Sequence, residues 1–158
     1  MMKLFHGTNM DFDHISLSKC KPNKDFGKGF YLTDILQQAR LMAIRRCTFE
    51  GKGTPVVQTY HFDESCLTDG NLKTKFFHEV CQEWAEFIII NRKARGKKVH
   101  DFDIVIGPIA DDGVVYQINL YLQRLITIET LVKELTYRKL NIQYYFGTET
   151  SLQKLTRV

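Results

Sequence analysis

Short runs of alternating or continuous apolar residues predict five β-strands in this chain. They lie in KLFHGT (3–8), GFYLT (29–33), TPVVQTYHF (54–62), DFDIVIGPIADDG (101–113) and NIQYYF (141–146). In the third segment the residues from Val56 to Phe62 alternate, which is typical of a strand with one buried face. The fourth is apolar almost throughout and predicts a buried strand that ends in a turn.

Apolar residues spaced three and four positions apart predict helices between these strands. The segments are 34–46, 75–91, 114–126 and 128–139, and a short helix follows the last strand within 147–155. We expect the helix over 75–91 to bury Phe76, Phe77, Val80, Trp84, Phe87 and Ile88, and the helix over 114–126 to bury Val115, Ile118, Leu122 and Leu125.

Threonines precede three of these helices, at Thr33, Thr127 and Thr148, and we expect each to cap its helix. The strands and helices do not alternate as regular βαβ units, so the pattern favours an α+β fold over a doubly wound one. No repeat, low-complexity tract or Pro/Ser-rich linker divides the sequence, and we therefore expect one domain over residues 1–158.

Composition adds few constraints. The 158 residues are 44% hydrophobic and 25% charged, with a net charge of +4, which permits an anionic partner without requiring one. We expect the four widely spaced cysteines to be free thiols in a cytoplasmic protein, because they contain no CxxC pair typical of a metal site. The chain has neither a signal-peptide core near its start nor an apolar run long enough to span a bilayer, so no membrane association is expected.

Two places combine glycine with an aromatic or histidine side chain. His6 and Gly7 end the first strand, and Tyr31 follows the glycine-rich stretch DFGKGFYLT, residues 25–33. A lone histidine more often has a structural role, and Tyr31 fits an ordinary core position as well as a stacking one. The backbone N–H and C=O beside Gly7 offer the donor and acceptor that a planar carboxamide such as nicotinamide requires.

Four segments together resemble a bacterial family of ADP-ribosyltransferase-like domains, catalogued as a domain of unknown function and often encoded beside a small antitoxin-like partner. The segments are LFHGTN, DFGKGFYLT, FDIVIGPIADD and NIQYYFGTETSLQKL, and EWAEFIIINR in the middle of the chain extends the resemblance. The resemblance implies a split β-sheet that binds NAD across a cleft between two small sheets.

The resemblance also implies roles for individual residues. His6 would bind a ribose hydroxyl, the backbone at Gly7 would hold the nicotinamide carboxamide, and Tyr31 would pack against the nicotinamide ring. The implied catalytic residues are His6, Tyr31 and Gln143, and the implied NAD-binding residues are His6, Gly7, Thr8, Gly27, Gly29 and Tyr31. Gly27 and Gly29 would let the chain bend closely round the dinucleotide, and no metal is implied.

The third catalytic position departs from the pattern of the wider superfamily. A glutamate usually stands there, whereas this chain has Gln143, which forms hydrogen bonds but carries no charge and takes no proton at neutral pH. Asp111, Asp112 and Glu149 are alternative carboxylates. Asp111 and Asp112 also fit a turn or a helix cap, and Glu149 fits the first turn of a helix.

The segment NRKARGKK, residues 91–98, holds five basic residues in eight. A solvated helix end is the ordinary interpretation, and a docking surface for an acidic partner or a phosphate-bearing target is the alternative. It has no interleaved aromatic residues, so it gives no strong nucleic-acid signal. Arg92 within it is a candidate for reaching the NAD pyrophosphate.

The function expected from the resemblance is NAD-dependent ADP-ribosyl transfer to an unknown acceptor, by a toxin that an antitoxin protein restrains. A catalytically weak or inactive NAD-binding module that acts through a protein partner is the alternative. An RNA-directed phosphate-removing transferase and a pure interaction domain are two further alternatives. The sparse histidines do not follow the pattern of the RNA-directed transferase. A pure interaction domain does not explain why the first two motifs occur together.

Overall fold

A computed structural model describes residues 1–136 and 138–158. Within these residues seven strands form one mixed sheet: β1 (Met2–Thr8), β2 (Phe30–Thr33), β3 (Val56–Phe62), β4 (Thr74–Phe76), β5 (Ile104–Pro108), β6 (Ile142–Phe146) and β7 (Leu155–Arg157). Their order across the sheet is β4-β5-β6-β2-β1-β3-β7, and every neighbouring pair is antiparallel except β4 and β5.

In the part of the chain that the structure describes, five α-helices accompany the sheet: α1 (Leu36–Glu50), α2 (Gln82–Arg92), α3 (Asp112–Leu122), α4 (Ile128–Thr136) and α5 (Glu149–Leu152). The expected α+β class is therefore confirmed. All five predicted strands are present, and β4 and β7 are additional short strands at the two sheet edges. The predicted helix over 128–139 includes position 137, which lies outside the described residues.

The central junction of the sheet, between β1 and β2, is narrow. β1 pairs with β3 along all seven of its residues, but with β2 only at Phe5 and Thr33. The two parts of the sheet, β4-β5-β6-β2 and β1-β3-β7, are therefore joined by one residue pair, and we call this junction the seam.

Each face of the sheet carries its own apolar core. Leu4, Phe30, Phe62, Ile104 and Phe146 belong to the first core, which loops and α5 cover. The second core contains Val105, Tyr145 and the buried faces of the middle helices, including Trp84, Ile118 and Leu131. Because strand side chains alternate between faces, neighbouring residues of β5 and β6 contribute to different cores.

The predicted helix over 75–91 is wrong in its first half. Residues Thr74–Phe76 form β4, which pairs in parallel with β5, and the N–H of Phe77 donates to the carbonyl of Ile106 at 2.8 Å. The helix begins only at Gln82. The apolar spacing suits both conformations, and the free edge of β5 supplies hydrogen bonds that only a strand satisfies.

Two details of the predicted helices also need correction. Leu125 is exposed rather than buried, because α3 ends at Leu122. The buried residues of α3 are Val114 and Ile118. Thr33 is not the N-cap of α1; it ends β2, and its hydroxyl accepts the N–H of Ile35 at 3.2 Å. The predicted caps at Thr127 and Thr148 are confirmed by hydrogen bonds from Thr130 and Ser151.

Gly7 brings β1 and α1 into direct backbone contact. A Cβ atom at this position would overlap the carbonyl oxygen of Ala39 and lie 2.8 Å from the amide nitrogen of Ala43. Because both obstacles are backbone atoms, no rotamer change relieves the overlap. A glycine is therefore required for the helix to lie this close to the strand.

We expect Gly7→Ala to lower the free energy of unfolding by about 2 kcal/mol or more, since α1 must move away from β1. Urea unfolding measures the loss. Gly51→Ala is the control: Gly51 caps α1 with a φ of 65° but has open space around it, so we expect a cost of only about 1 kcal/mol. Equal costs in the two variants would contradict a packing role for Gly7.

Candidate functional site

His6 lies at the seam. The regular pairing of β1 with β2 stops at Phe5, and the next residue places its imidazole Nδ1 2.8 Å from the carbonyl oxygen of Tyr31. A carbonyl oxygen only accepts, so Nδ1 carries the proton and donates. Neutral His6 consequently presents Nε2 as a hydrogen-bond acceptor.

The surroundings of His6 keep it neutral. Its ring packs against Phe30 with centroids 4.3 Å apart, and burial lowers its pKa from 6.5 to about 4. The hydrogen bond to Tyr31 acts in the opposite direction, and the charges of Arg46 and Lys24 act in the same direction as burial. The charged form is disfavoured because the ring has lost water and lies near two cations. At neutral pH His6 acts as an uncharged acceptor rather than as an acid.

The glycine-rich stretch forms a tight turn that Tyr31 closes. The Tyr31 hydroxyl donates to the carbonyl of Gly27 at 2.6 Å and accepts the N–H of Phe26 at 3.0 Å. Burial raises the pKa of this phenol well above its usual value, so it stays protonated. The Tyr31 ring packs beside Phe26 and Tyr145.

Both glycines in this stretch are required by the local structure. Gly27 has a φ of 98°, which lies in the left-handed region, and a Cβ there would lie 3.0 Å from Oδ1 of Asn91. A Cβ at Gly29 would overlap the ring of Tyr145 and lie 2.7 Å from the carbonyl oxygen of Phe146. Gly27 allows the turn to lie close to α2, and Gly29 allows it to lie close to β6.

Gln143 lies in β6, opposite Thr33 of β2, and only 8% of it is exposed. Its Nε2 donates to Oδ2 of Asp25 at 3.0 Å and faces the carbonyl oxygen of Pro108 at 3.3 Å. Asp25 is also buried, and Nε of Arg92 donates to its other oxygen at 2.8 Å. A neutral amide, a carboxylate and a guanidinium therefore form one buried polar cluster.

The structure brings some predicted residues together and separates others. Tyr31 and Gln143 share the face of the second core, because Tyr31 pairs with Tyr145 of that core and Gln143 lies two residues before Tyr145 in β6. The His6 ring lies on the other face, beside Phe30, and meets Tyr31 only through the backbone carbonyl. Gly7 and the buried Thr8 continue β1 past the point where pairing with β2 ends.

The alternative carboxylates take other roles. Asp111 caps α3 by accepting the N–H of Val114 at 2.9 Å, and Asp112 and Glu149 are exposed residues in the first turns of α3 and α5. The acidic residue that touches Gln143 is Asp25, which the sequence analysis did not single out. Its only sequence signal is its position at the start of the DFGKGFYLT stretch.

The basic segment divides into two parts. Arg92 turns inward to Asp25, so its charge is already matched, whereas Lys93, Arg95, Lys97 and Lys98 are exposed. Lys97 and Lys98 border a cavity of about 320 Å³ that Gly27 and Lys28 line from the other side. No carboxylate within the described part of the chain forms an ion pair with these four exposed residues.

Within the described residues no three His, Cys, Asp or Glu side chains are grouped so as to hold a metal ion. None of the helices in residues 1–136 and 138–158 has the length and apolarity needed to cross a membrane.

A family model described as "Protein of unknown function (DUF3990)" matches residues 2–156. The chain belongs to this family. The match contains the whole sheet apart from the last residue of β7, and therefore every site residue named above. No curated protein and no solved structure matches the chain.

We expect the low pKa of His6 to make the fold acid-sensitive. The unfolded chain takes up a proton near pH 6.5 and the folded chain only near pH 4, so stability is present above pH 6.5 and is lost as the pH falls towards 4. The loss attributable to His6 is at most about 3 kcal/mol. Urea unfolding across this range should show a smaller decline in His6→Gln, whose amide also donates to Tyr31.

The exposed His14 provides the control. His14→Gln should retain the acid sensitivity of the unaltered chain. If His6→Gln retains it too, then His6 is not the group that couples protonation to folding.

Proposed function

We propose that the chain is an NAD-dependent ADP-ribosyltransferase that cleaves the nicotinamide–ribose bond and transfers ADP-ribose to an acceptor. The observation that carries the proposal is the neutral His6 at the seam, with Nδ1 fixed by Tyr31 and Nε2 left as an acceptor for a ribose hydroxyl. It supports the role that the resemblance to ADP-ribosyltransferase-like domains implies for this residue.

The shape of the sheet supports the proposal in the same way. A split sheet with NAD at the division is the fold the resemblance implies, and here two parts of one sheet diverge from the single pair Phe5–Thr33. A dinucleotide that crosses the seam would meet His6 on one face and Tyr31 on the other. Lys24, one of the cations that lower the pKa of His6, supplies positive charge that suits the pyrophosphate, whereas Arg46 is paired with Glu50.

The proposed chemistry assigns separate tasks to the residues. Backbone groups at Gly7 and Thr8 would orient the nicotinamide carboxamide, His6 would hold a ribose hydroxyl, and Tyr31 would limit the movement of the nicotinamide ring. Gln143 would bind ribose through its amide while the bond to nicotinamide breaks and positive charge develops on the sugar. It cannot act as a general base, since an amide takes no proton at neutral pH.

The neutrality of Gln143 favours a second candidate function, an NAD-binding module of low or no activity that acts through a protein partner. The charge of the neighbouring Asp25 is matched by Arg92, so the cluster contributes little net negative charge towards a developing cation. Release of nicotinamide from NAD by the purified protein distinguishes the two candidates, since binding alone leaves NAD intact.

We expect NAD to stabilise the protein by roughly 1–3 kcal/mol at concentrations about 10–100 times its dissociation constant. Calorimetric titration and thermal unfolding with NAD measure this. His6→Ala and Tyr31→Ala should weaken binding, whereas His14→Ala should not. Gln143→Ala should lower nicotinamide release by roughly 10–1000-fold, the range for losing one well-placed polar group in an active site.

The outcomes separate the hypotheses. No stabilisation at millimolar NAD would reject both candidates. NAD binding without nicotinamide release would favour the inactive module. Turnover that Gln143→Ala leaves unchanged would remove Gln143 from the site.

The proposed partner is an antitoxin protein that restrains the activity. The exposed cations Lys93, Arg95 and Lys97 suit an acidic surface on such a partner, because opposite charges accelerate encounter. Expressing the chain with and without its genomic neighbour, followed by mass spectrometry for ADP-ribose adducts, identifies both partner and acceptor.

We expect the triple replacement of Lys93, Arg95 and Lys97 by glutamate to slow association with that neighbour and to flatten its salt dependence. Surface plasmon resonance across a salt series provides the measurement.

Replacing Lys19, Lys52 and Lys133 by glutamate gives a control with the same charge change at other exposed sites. Equal slowing in both variants would show that net charge alone matters and that the basic segment is only a solvated helix end.

A further inference from the structure

The hydrogen bonds around Gln143 fix which end of its amide faces which neighbour. The carboxylate of Asp25 and the carbonyl of Pro108 only accept, so the group that faces both must be the NH₂. The oxygen Oε1 then points away from them. Within residues 1–136 and 138–158 no group donates to Oε1. Every fully buried side-chain nitrogen or oxygen in these residues has a hydrogen-bond partner, so Oε1 is not fully buried. The oxygen is thus an open acceptor.

Gln58 has the same arrangement of an amide NH₂ between a carboxylate and a backbone carbonyl. Nε2 of Gln58 donates to Oδ1 of Asp11 at 2.7 Å and to the carbonyl of Phe12 at 2.8 Å, and Arg157 forms an ion pair with Asp11. At Gln58, however, the hydroxyl of Tyr60 donates to Oε1 at 2.8 Å. Gln58 therefore uses its oxygen internally, whereas Gln143 keeps its oxygen available.

Asp25 is itself rigidly held. Arg92 donates two hydrogen bonds to Oδ1, and the N–H of Ala110 lies 3.3 Å from Oδ2. Asp25 is only 7% exposed, and the guanidinium of Arg92 and the N–H of Ala110 replace hydrogen bonds to water that its side chain has lost. Because Arg92, Ala110 and Gln143 all contact Asp25 through N–H groups, its side chain acts as the acceptor towards each of them.

We propose that Asp25 is a positioning residue that orients the amide of Gln143 so that Oε1 accepts a hydrogen bond from a ribose hydroxyl of the substrate. This inference rests on the proposed function. The orientation matters because positive charge develops on the sugar during cleavage of the nicotinamide bond. The amide oxygen carries partial negative charge and stabilises that state, whereas the amide NH₂ would oppose it. In this orientation the glutamine offers a hydrogen-bond acceptor where a glutamate would offer a carboxylate oxygen. Unlike a carboxylate, it does not take up a proton at neutral pH.

The first test follows the amide directly and does not need NAD. In ¹⁵N-resolved NMR spectra of the full chain, the side-chain NH₂ groups of Gln143 and Gln58 should both exchange slowly with water. Asp25→Asn should abolish slow exchange at Gln143 and leave it at Gln58. Asp11→Asn, the matched control, should do the reverse.

The second test is a double-mutant cycle on nicotinamide release. Asp25→Asn should reduce kcat by roughly 10–100-fold, part of the loss expected when an active-site polar group is misplaced, and should change KM by less than about threefold. In a Gln143→Met background, which preserves side-chain length but has no amide, Asp25→Asn should cause no further loss. Asp25→Glu, which retains the acceptor charge, should retain more activity than Asp25→Asn. Asp11→Asn should leave kcat unchanged.

A purely structural Asp25 predicts different results. The loss of kcat would then persist in the Gln143→Met background, and slow exchange at Gln143 would survive Asp25→Asn; either result overturns the inference. Absence of NAD binding in the unaltered chain would overturn the proposed function, and with it the role of Oε1 towards ribose, even if the NMR exchange pattern is as expected. A kcat loss confined to variants that retain the Gln143 amide supports the inference.

Discussion

The narrow contact between β1 and β2 is the constraint on which the rest of the site depends. Adjacent strands in a sheet normally continue pairing, and here pairing ends after Phe5 and Thr33. The carbonyl of Tyr31 would then lack a partner in β1, and the side chain of His6 supplies one. A single interaction thus satisfies a backbone group, fixes the imidazole tautomer and ties the end of β1 to the glycine-rich turn. The close backbone contact of Gly7 with α1 holds the other side of the same strand.

A second feature of the structure is a buried ion pair that lies beside the neutral amide of Gln143. Asp25, Arg92 and Gln143 come from the turn before β2, the end of α2 and the start of β6, so their cluster ties three distant segments together. Buried ion pairs contribute little net stability once desolvation is counted, yet removing one partner costs several kcal/mol. Such a cluster therefore contributes more to the geometry of the molecule than to its free energy of unfolding. That geometry is what orients Gln143.

Much of the fold could be predicted because its signals are local. The alternation from Val56 to Phe62 and the continuous apolar run before Pro108 specify strands wherever they lie in a sheet. The helix cap at Thr148 depends on an N–H only three residues away. The candidate site residues His6, Tyr31 and Gln143 could be proposed from their motifs. Their arrangement could not, because the faces onto which their side chains point depend on the register across the seam.

The sequence by itself determined the α+β class, the positions of the five main strands along the chain and the glycines that the turn before β2 requires. These features follow from side-chain periodicity and from backbone conformations open to glycine. Only the tertiary structure decided that residues Thr74–Phe76 form a strand, since the deciding hydrogen bonds come from the edge of β5. Likewise, only the tertiary structure joined Gln143 to Asp25, 118 residues away. No local pattern encodes that contact, because it exists only when the turn, α2 and β6 meet around one buried carboxylate.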